Sequence, residues 1–83
     1  VNRSRAALVL GLALGALESA RTMIRMYPAA ATGHALEGAA LLALGRRDEA
    51  RAALGRALSA DWEEGSEQQR RAAASLHEAL GRP

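Results

Sequence analysis

Residues 40–62 read ALLALGRRDEARAALGRALSADW, and a short polar segment, residues 45–48, separates two Ala- and Leu-rich stretches. Apolar residues on both sides of this segment recur every three or four positions, which is the spacing of a helix that buries one face. Glycine is the commonest residue just after a helix end, and acidic residues are favoured at the start of the next helix. The stretch therefore predicts two antiparallel helices joined by a tight turn.

Composition limits what such a protein does. The chain has 83 residues, no Cys and no Phe, and its 11 basic residues, all Arg, stand against 9 acidic ones. A chain of this length buries a thin core, so we expect a partner or self-association to stabilise it. The charges are spread along the chain and only Tyr27 and Trp62 could stack on bases, so we expect no binding of nucleic acid.

The apolar spacing predicts helices on either side of the opening stretch. A single apolar stripe runs through residues 13–27 and ends at Pro28. The next helix is apolar nearly all round, with Thr32 as its candidate N-cap and Gly45 as its stop. Ser66 begins a last helix, with a glutamine three residues later at the spacing of a capping box. Because β-branched alternation is missing, we expect an all-α fold.

The N-terminal segment has a basic start followed by an apolar run, residues 6–17, and so resembles the first two regions of a signal peptide. The run is shorter than the about 20 residues that cross a bilayer. Glu18 and Ser19 interrupt any small-residue cleavage site. We expect a cytoplasmic protein with no membrane span, while an exported or tethered form with residues 1–17 as a leader stays open.

The sequence also matches itself when it is shifted by 34 positions. Gly11 then falls on Gly45 and Pro28 on Trp62. The other matched pairs are Leu8 with Leu42, Leu10 with Leu44, Ala16 with Ala50, Ala20 with Leu54, Met23 with Ala57 and Ile24 with Leu58. This helix-turn-helix period resembles the tetratricopeptide repeat (TPR), whose hairpins bury their apolar faces by stacking on the next hairpin. The match predicts a turn at Gly11.

The second of the two matched units carries the resemblance most fully. Gly38 falls on the small residue where the two helices of the family's hairpin approach closely. Further matches are Leu41, Gly45, Asp48, Glu49, Ala50, Leu54, Ala57 and Leu58, whereas His34, Glu37 and Trp62 depart from the family pattern. The resemblance implies an all-α, TPR-like α-α superhelix of about five antiparallel helices. It implies one domain, residues 1–83, with a partial first repeat (1–28), a full repeat (29–62) and a C-terminal capping helix (63–83).

In this family the first helix of each hairpin lines a concave face that binds peptides or partner helices. Transferred by position, the resemblance implies a partner-binding set made of Arg5, Leu8, Val9, Thr32, Ala35, Ala39, Leu42, Ala43, Gln69, Ala73, Leu76 and His77. The set is mostly apolar, which suits a helix-in-groove mode of binding. The open alternative is that Ala39, Leu42 and Leu76 belong to the core of the domain.

We therefore expect a protein–protein interaction scaffold whose partner is a protein or peptide segment, with a homo-oligomer possible. Two alternatives stay open: a chaperone for a component of a secretion apparatus, and a self-associating assembly subunit. An enzyme is not expected, because His34 and His77 have no acidic or Cys residue at ligand spacing and no serine has nucleophile-elbow glycines. We expect neither a cofactor nor a metal.

Overall fold

The computed structural model describes residues 2–82, and these residues form four helices. The helices are α1 (Asn2–Met26), α2 (Ala31–Ala43), α3 (Arg47–Leu58) and α4 (Glu67–Leu80). Each helix packs against the next one along the chain. No strand occurs within residues 2–82, so the all-α fold is confirmed. Val1 and Pro83, the two ends of the expected domain, lie outside the described residues.

The expected fifth helix is wrong, because α1 runs without a break through Gly11 for 25 residues. A glycine stop needs a left-handed backbone, and in the described part of the chain only Gly45 and Gly65 have positive φ. Gly45 is followed by Arg-Arg-Asp, whereas Gly11 is followed by Leu-Ala-Leu, which favours continuing the helix. The first unit of the 34-residue match is therefore built around a single long helix.

The turn between α2 and α3 has the predicted structure. Gly45 has a φ of 77°, which suits glycine because it has no Cβ. Its N–H donates to the carbonyl of Leu42 (3.0 Å), and the N–H of Arg46 donates to the carbonyl of Leu41 (2.9 Å). These two bonds form the Schellman motif that ends helices, so the stop at Gly45 is confirmed.

Backbone hydrogen bonds close the open end of this hairpin. The N–H of Ala31 donates to the carbonyl of Asp61 (2.8 Å), and the N–H of Asp61 donates to the carbonyl of Ala29 (2.9 Å). This short parallel bridge holds the start of α2 beside the end of α3. Thr32 as the N-cap is wrong, because the N-cap of α2 is Ala30, two residues earlier.

Glycines let neighbouring helices approach closely. A Cβ on Gly38 would lie 2.7 Å from Cγ of Leu54 and 3.3 Å from the carbonyl oxygen of Ala50. Leu54 is only 1% exposed and has no room to move aside. The close approach predicted at Gly38 is therefore confirmed. The sequence interpretation missed a second one, where a Cβ on Gly33 would lie 2.9 Å from Cγ1 of Ile24 on α1.

The core extends through all four helices and is made of alanine and leucine. Its buried cluster contains Leu17, Ala40, Leu41, Ala50 and Ala53, and Ala16, Leu42, Leu44 and Leu80 pack against this cluster. The predicted stripe on α1 is largely confirmed, since Ala13, Leu17 and Ala20 are buried. Tyr27 is the exception: it is exposed, because α1 ends at Met26.

One charged side chain is buried beside this core. Glu37 of α2 is 8% exposed. Its carboxylate accepts hydrogen bonds from Arg56 of α3 (2.9 Å) and Arg21 of α1 (3.4 Å). Both arginines keep about half of their side chains in solvent. Where the TPR pattern has an aliphatic residue, this chain therefore has a carboxylate that links three helices.

Candidate functional site

Two shallow depressions run along the outer side of α2 and share Leu36. The first, of about 310 Å³ between α1 and α2, is lined by Val9, Leu12, Ala13, Ala16, Leu36, Ala39, Ala40 and Ala43. The second, of about 290 Å³ between the start of α2 and the start of α4, is lined by Thr32, Ala35, Leu36, Trp62, Ser66 and Gln69. Together they form what we call the α2 groove.

The sequence of α2 explains why this groove is apolar. The helix is apolar nearly all round, and one side of it, including Gly38 and Leu41, is buried against its neighbours. The remaining apolar side is left at the surface, where Leu36 is half-buried and Ala39 and Ala43 are exposed. Because alanine side chains are short, the side chains of a bound partner could approach the backbone of α2 closely.

The two ends of the α2 groove differ in polarity. Near the start of α2 the lining includes Thr32, Ser66 and Gln69. Trp62 also lines this end, and its buried Nε1 has no hydrogen-bond partner within residues 2–82. The depression between α1 and α2 is lined entirely by apolar side chains. The groove thus offers polar contacts at one end only.

The structure brings half of the predicted partner-binding residues to the α2 groove. These residues come from three helices and are Val9, Thr32, Ala35, Ala39, Ala43 and Gln69. Ala39 was left open between core and groove, and its exposed side chain lies in the groove lining.

Three predicted residues point into the folded body. Leu42 is half-buried and packs against the core cluster. Ala73 of α4 is 4% exposed. His77 faces α3, because its Nε2 lies 3.4 Å from where a Cβ on Gly55 would be. These side chains support the packing of α4 and α2 and do not line the groove.

The last three predicted residues, Arg5, Leu8 and Leu76, are exposed outside the groove lining. In turn, the interpretation by position missed Leu36, which borders both depressions, and Leu12 on the α1 side. The all-round apolar character of α2 was a signal for Leu36. Leu12 was missed because the 34-residue match placed a turn beside it, where the structure has continuous helix.

A wider cleft of about 610 Å³ lies between the α1–α2 loop and α3. In this cleft Arg56 binds Glu37, and Nε2 of His34 lies 3.0 Å from the carbonyl oxygen of Pro28. The buried Nδ1 of His34 has no hydrogen-bond partner within residues 2–82. Across residues 2–82, no group of three or more His, Cys, Asp or Glu side chains is placed to hold a metal ion. We take the α2 groove as the candidate site because its depression between α1 and α2 is lined entirely by apolar side chains.

By length and composition, Arg3–Met26 is long and apolar enough to cross a membrane. This corrects the interpretation from residues 6–17 alone, because the helix that contains the run is longer than the run. Core helices of soluble proteins and signal sequences meet the same criterion, so the helix does not establish where the protein resides. The second half of α1 packs on α2, whereas Leu8, Val9, Leu10, Leu12 and Leu14 are exposed.

Comparisons with known proteins found no protein-family model, no curated protein and no solved structure that matches this chain. The resemblance to TPR proteins accordingly rests on the residues named above, chiefly the unit that contains Gly38, Gly45 and Leu54.

Proposed function

We propose that this chain is a TPR-like interaction scaffold whose α2 groove binds an amphipathic helix of a partner protein. The observation that carries this proposal is the apolar depression between α1 and α2. Its lining contains no charged side chain, and its floor includes the exposed residues Ala39 and Ala43. Apolar surface that is exposed in a concave arrangement is the usual basis of helix-in-groove recognition.

A helical occupant suits this groove better than an extended one. The walls of the groove are helices, whose backbone groups are already hydrogen-bonded, so an extended peptide would find no strand edge to pair with. A helix satisfies its own backbone and needs only apolar contact. Because α2 has 13 residues, it is about 20 Å long and would match about three to four turns of a bound helix.

The polarity of the groove also orients the occupant. Apolar anchors at helical spacing would lie between Leu12 and Ala43, where the lining is purely apolar. A polar side chain or a free carbonyl would lie near Ser66 and Trp62, since the indole N–H of Trp62 is a donor that needs an acceptor. The expected ligand is thus a short amphipathic helix with one polar end.

A displayed library of random peptides of about 20 residues, selected on the immobilised full chain, tests this proposal. We expect the selected peptides to share apolar residues at helical spacing. The variant Ala39→Arg places a long charged side chain on the groove floor and should weaken their binding at least about tenfold. Ala52→Arg is the matched control, because Ala52 is an exposed alanine of α3 that does not line the groove.

Circular dichroism of both variants shows whether the helices are retained, and we expect them to be, because both alanines are exposed. Peptides that bind Ala39→Arg as tightly as the unmodified chain would contradict the proposal. Unfolding caused by Ala39→Arg alone would also contradict it, because Ala39 would then belong to the core.

A further inference from the structure

The side of α1 that borders the α2 groove is open along most of the helix. At about 100° per residue, four of its residues lie within about 60° of one another, namely Val9, Leu12, Ala16 and Met23. The first three line the apolar depression between α1 and α2. Met23 lines a further depression of about 380 Å³ beside Tyr27. We call this side, from Val9 to Tyr27, the open side of α1.

The equivalent side of α3 is covered by α2. In the 34-residue match, Ala16 falls on Ala50 and Met23 on Ala57. Ala50 and Ala57 are both 0% exposed, and a Cβ on Gly38 of α2 would lie 3.3 Å from the carbonyl oxygen of Ala50. Ala16 and Met23 are only half-buried, because no helix within residues 2–82 has the position on α1 that α2 has on α3. The chain itself thus shows what covers this side of a helix, namely a second helix packed along it.

We propose that the partner helix bound in the α2 groove lies along the open side of α1, in the position that α2 has on α3, and runs antiparallel to α1. This inference rests on the proposed function and adds the course and the direction of the bound helix. From Val9 to Tyr27 the open side is about 27 Å long, which accommodates a helix of about 18 residues. The bound helix is thus longer than the three to four turns that α2 alone matches.

The charges at the two ends of the open side favour this direction. Glu63 lines the depression beside Tyr27, and Arg5 lies at the other end, within about 20° of Leu12 around the helix axis. A helix is positive at its N-terminal end and negative at its C-terminal end. A helix antiparallel to α1 therefore places its positive end beside Glu63 and its negative end beside Arg5, whereas the reverse direction places like charges together. The other charged residues of α1 lie about 140° or more from Ala16, namely Arg3, Glu18, Arg21 and Arg25.

Thr32 connects this course with the polar end of the α2 groove. It lines both the depression beside Tyr27 and the depression beside Trp62, so the first turn of a helix above Thr32 lies between the two. Ser, Thr, Asp and Asn are preferred at the start of a helix, and each carries a side-chain oxygen. Such an oxygen is a suitable acceptor for the indole N–H of Trp62. The expected partner is thus an amphipathic helix whose polar end is its N-terminus.

Paramagnetic labelling of a bound peptide measures both the course and the direction. The probe is the tightest-binding peptide from the displayed library, with a nitroxide at its N-terminus or, in a second sample, at its C-terminus. In NMR spectra of the full chain, the N-terminal label should broaden the amide signals of residues 26–33 most, and the C-terminal label those of residues 5–12. The reverse assignment would overturn the direction. Broadening of residues 62–69 with none at residues 23–27 would overturn the course.

Two neighbouring residues provide a matched pair of substitutions. Tyr27 and Met26 are both 63% exposed, but only Tyr27 lines the depression at the end of the open side. Tyr27→Ala should raise the dissociation constant of the same peptide at least about fivefold, because an aromatic contact is lost. Met26→Ala should leave it unchanged, since Met26 lines none of the three depressions. Equal effects of the two changes, in variants that circular dichroism shows to be folded, would overturn the proposal.

Failure of this inference and failure of the proposed function give different results. A peptide whose binding Ala39→Arg weakens and Tyr27→Ala does not would support the α2 groove and overturn the course along α1. If the library yields no peptide, the proposed function fails and this inference fails with it. A second copy of the chain is the alternative occupant, which sedimentation velocity of the chain alone over a hundredfold dilution detects. A dimer that Tyr27→Ala dissociates would overturn the proposal in favour of that second copy.

Discussion

The α2–α3 hairpin and the first half of α1 contain the same few residue types. These residues are buried in the hairpin and exposed in α1. Leu54 of the hairpin is 1% exposed, whereas Leu12 of α1 is 65% exposed. Gly38 lets α3 come close, whereas Gly11 has open space where a Cβ would be. In the hairpin, leucine and glycine create the fold. In α1, the same residues leave an apolar surface that is free to bind something else.

The two regions also match each other in the 34-residue shift, so the difference comes from what surrounds each glycine. The polar residues after Gly45 cannot extend an apolar helix face, and the chain turns there. After Gly11 the chain continues with good helix formers, and the helix continues with it. A match between positions therefore predicts the same structure only when the neighbouring residues agree.

The largest contrast should come from shortening one leucine in each region. Leu41→Ala removes a side chain that is 2% exposed in the core and should lower the free energy of unfolding by about 2–5 kcal/mol. Leu12→Ala removes an exposed side chain and should change it by less than about 0.5 kcal/mol. Urea denaturation at a dilute chain concentration measures both. Equal losses of unfolding free energy would mean that the Leu12 side chain of α1 is also buried.

The same change made at two glycines should give effects of opposite sign. Gly38→Ala places a Cβ 2.7 Å from Cγ of Leu54 and should destabilise the fold by about 1–3 kcal/mol. Gly11→Ala meets no atom within 4 Å and should stabilise α1 by about 0.5–1 kcal/mol. The melting temperatures of the two variants report the signs. If Gly38→Ala stabilised the fold, α2 and α3 would not approach each other closely at this residue.

The smallest contrast concerns two glutamates that bind arginine. Glu37→Gln removes the charge that joins Arg21 and Arg56 and should cost about 1 kcal/mol, because both arginines keep access to solvent. Glu49→Gln removes an exposed contact with Arg46 and should cost less than about 0.5 kcal/mol. Urea denaturation again provides the comparison. If both changes cost the same, Glu37 does not link the helices.

Features set by a few adjacent residues could be predicted from the sequence. The stop at Gly45 follows from local chemistry, and the structure has it. The last helix begins after Ser66 as predicted, but the Ser66 side chain makes no capping hydrogen bond, so the predicted capping box is wrong. Features that depend on distant residues could not. No residue near Glu37 in the sequence indicates that it binds Arg21 and Arg56, because these two arginines belong to two other helices.

The residues of the candidate site also separate into those that the sequence could place and those that it could not. Ala39, which the sequence left open between core and groove, is exposed and lies in the lining of the α2 groove. Leu42, which the resemblance placed beside it, packs against the core instead. Helical spacing identifies which residues share a face, but a helix that is apolar nearly all round does not reveal which face its neighbours cover. The contacts of α1 and α3 with α2 decide that.

Hydrogen exchange of the backbone amides tests the central claim most directly, namely that the hairpin holds the fold while the first half of α1 is left uncovered. At a dilute chain concentration, amides of α2 and α3 should exchange slowest, and those of residues 4–10 should exchange fastest among the helical amides. Equal protection of both regions would contradict the account.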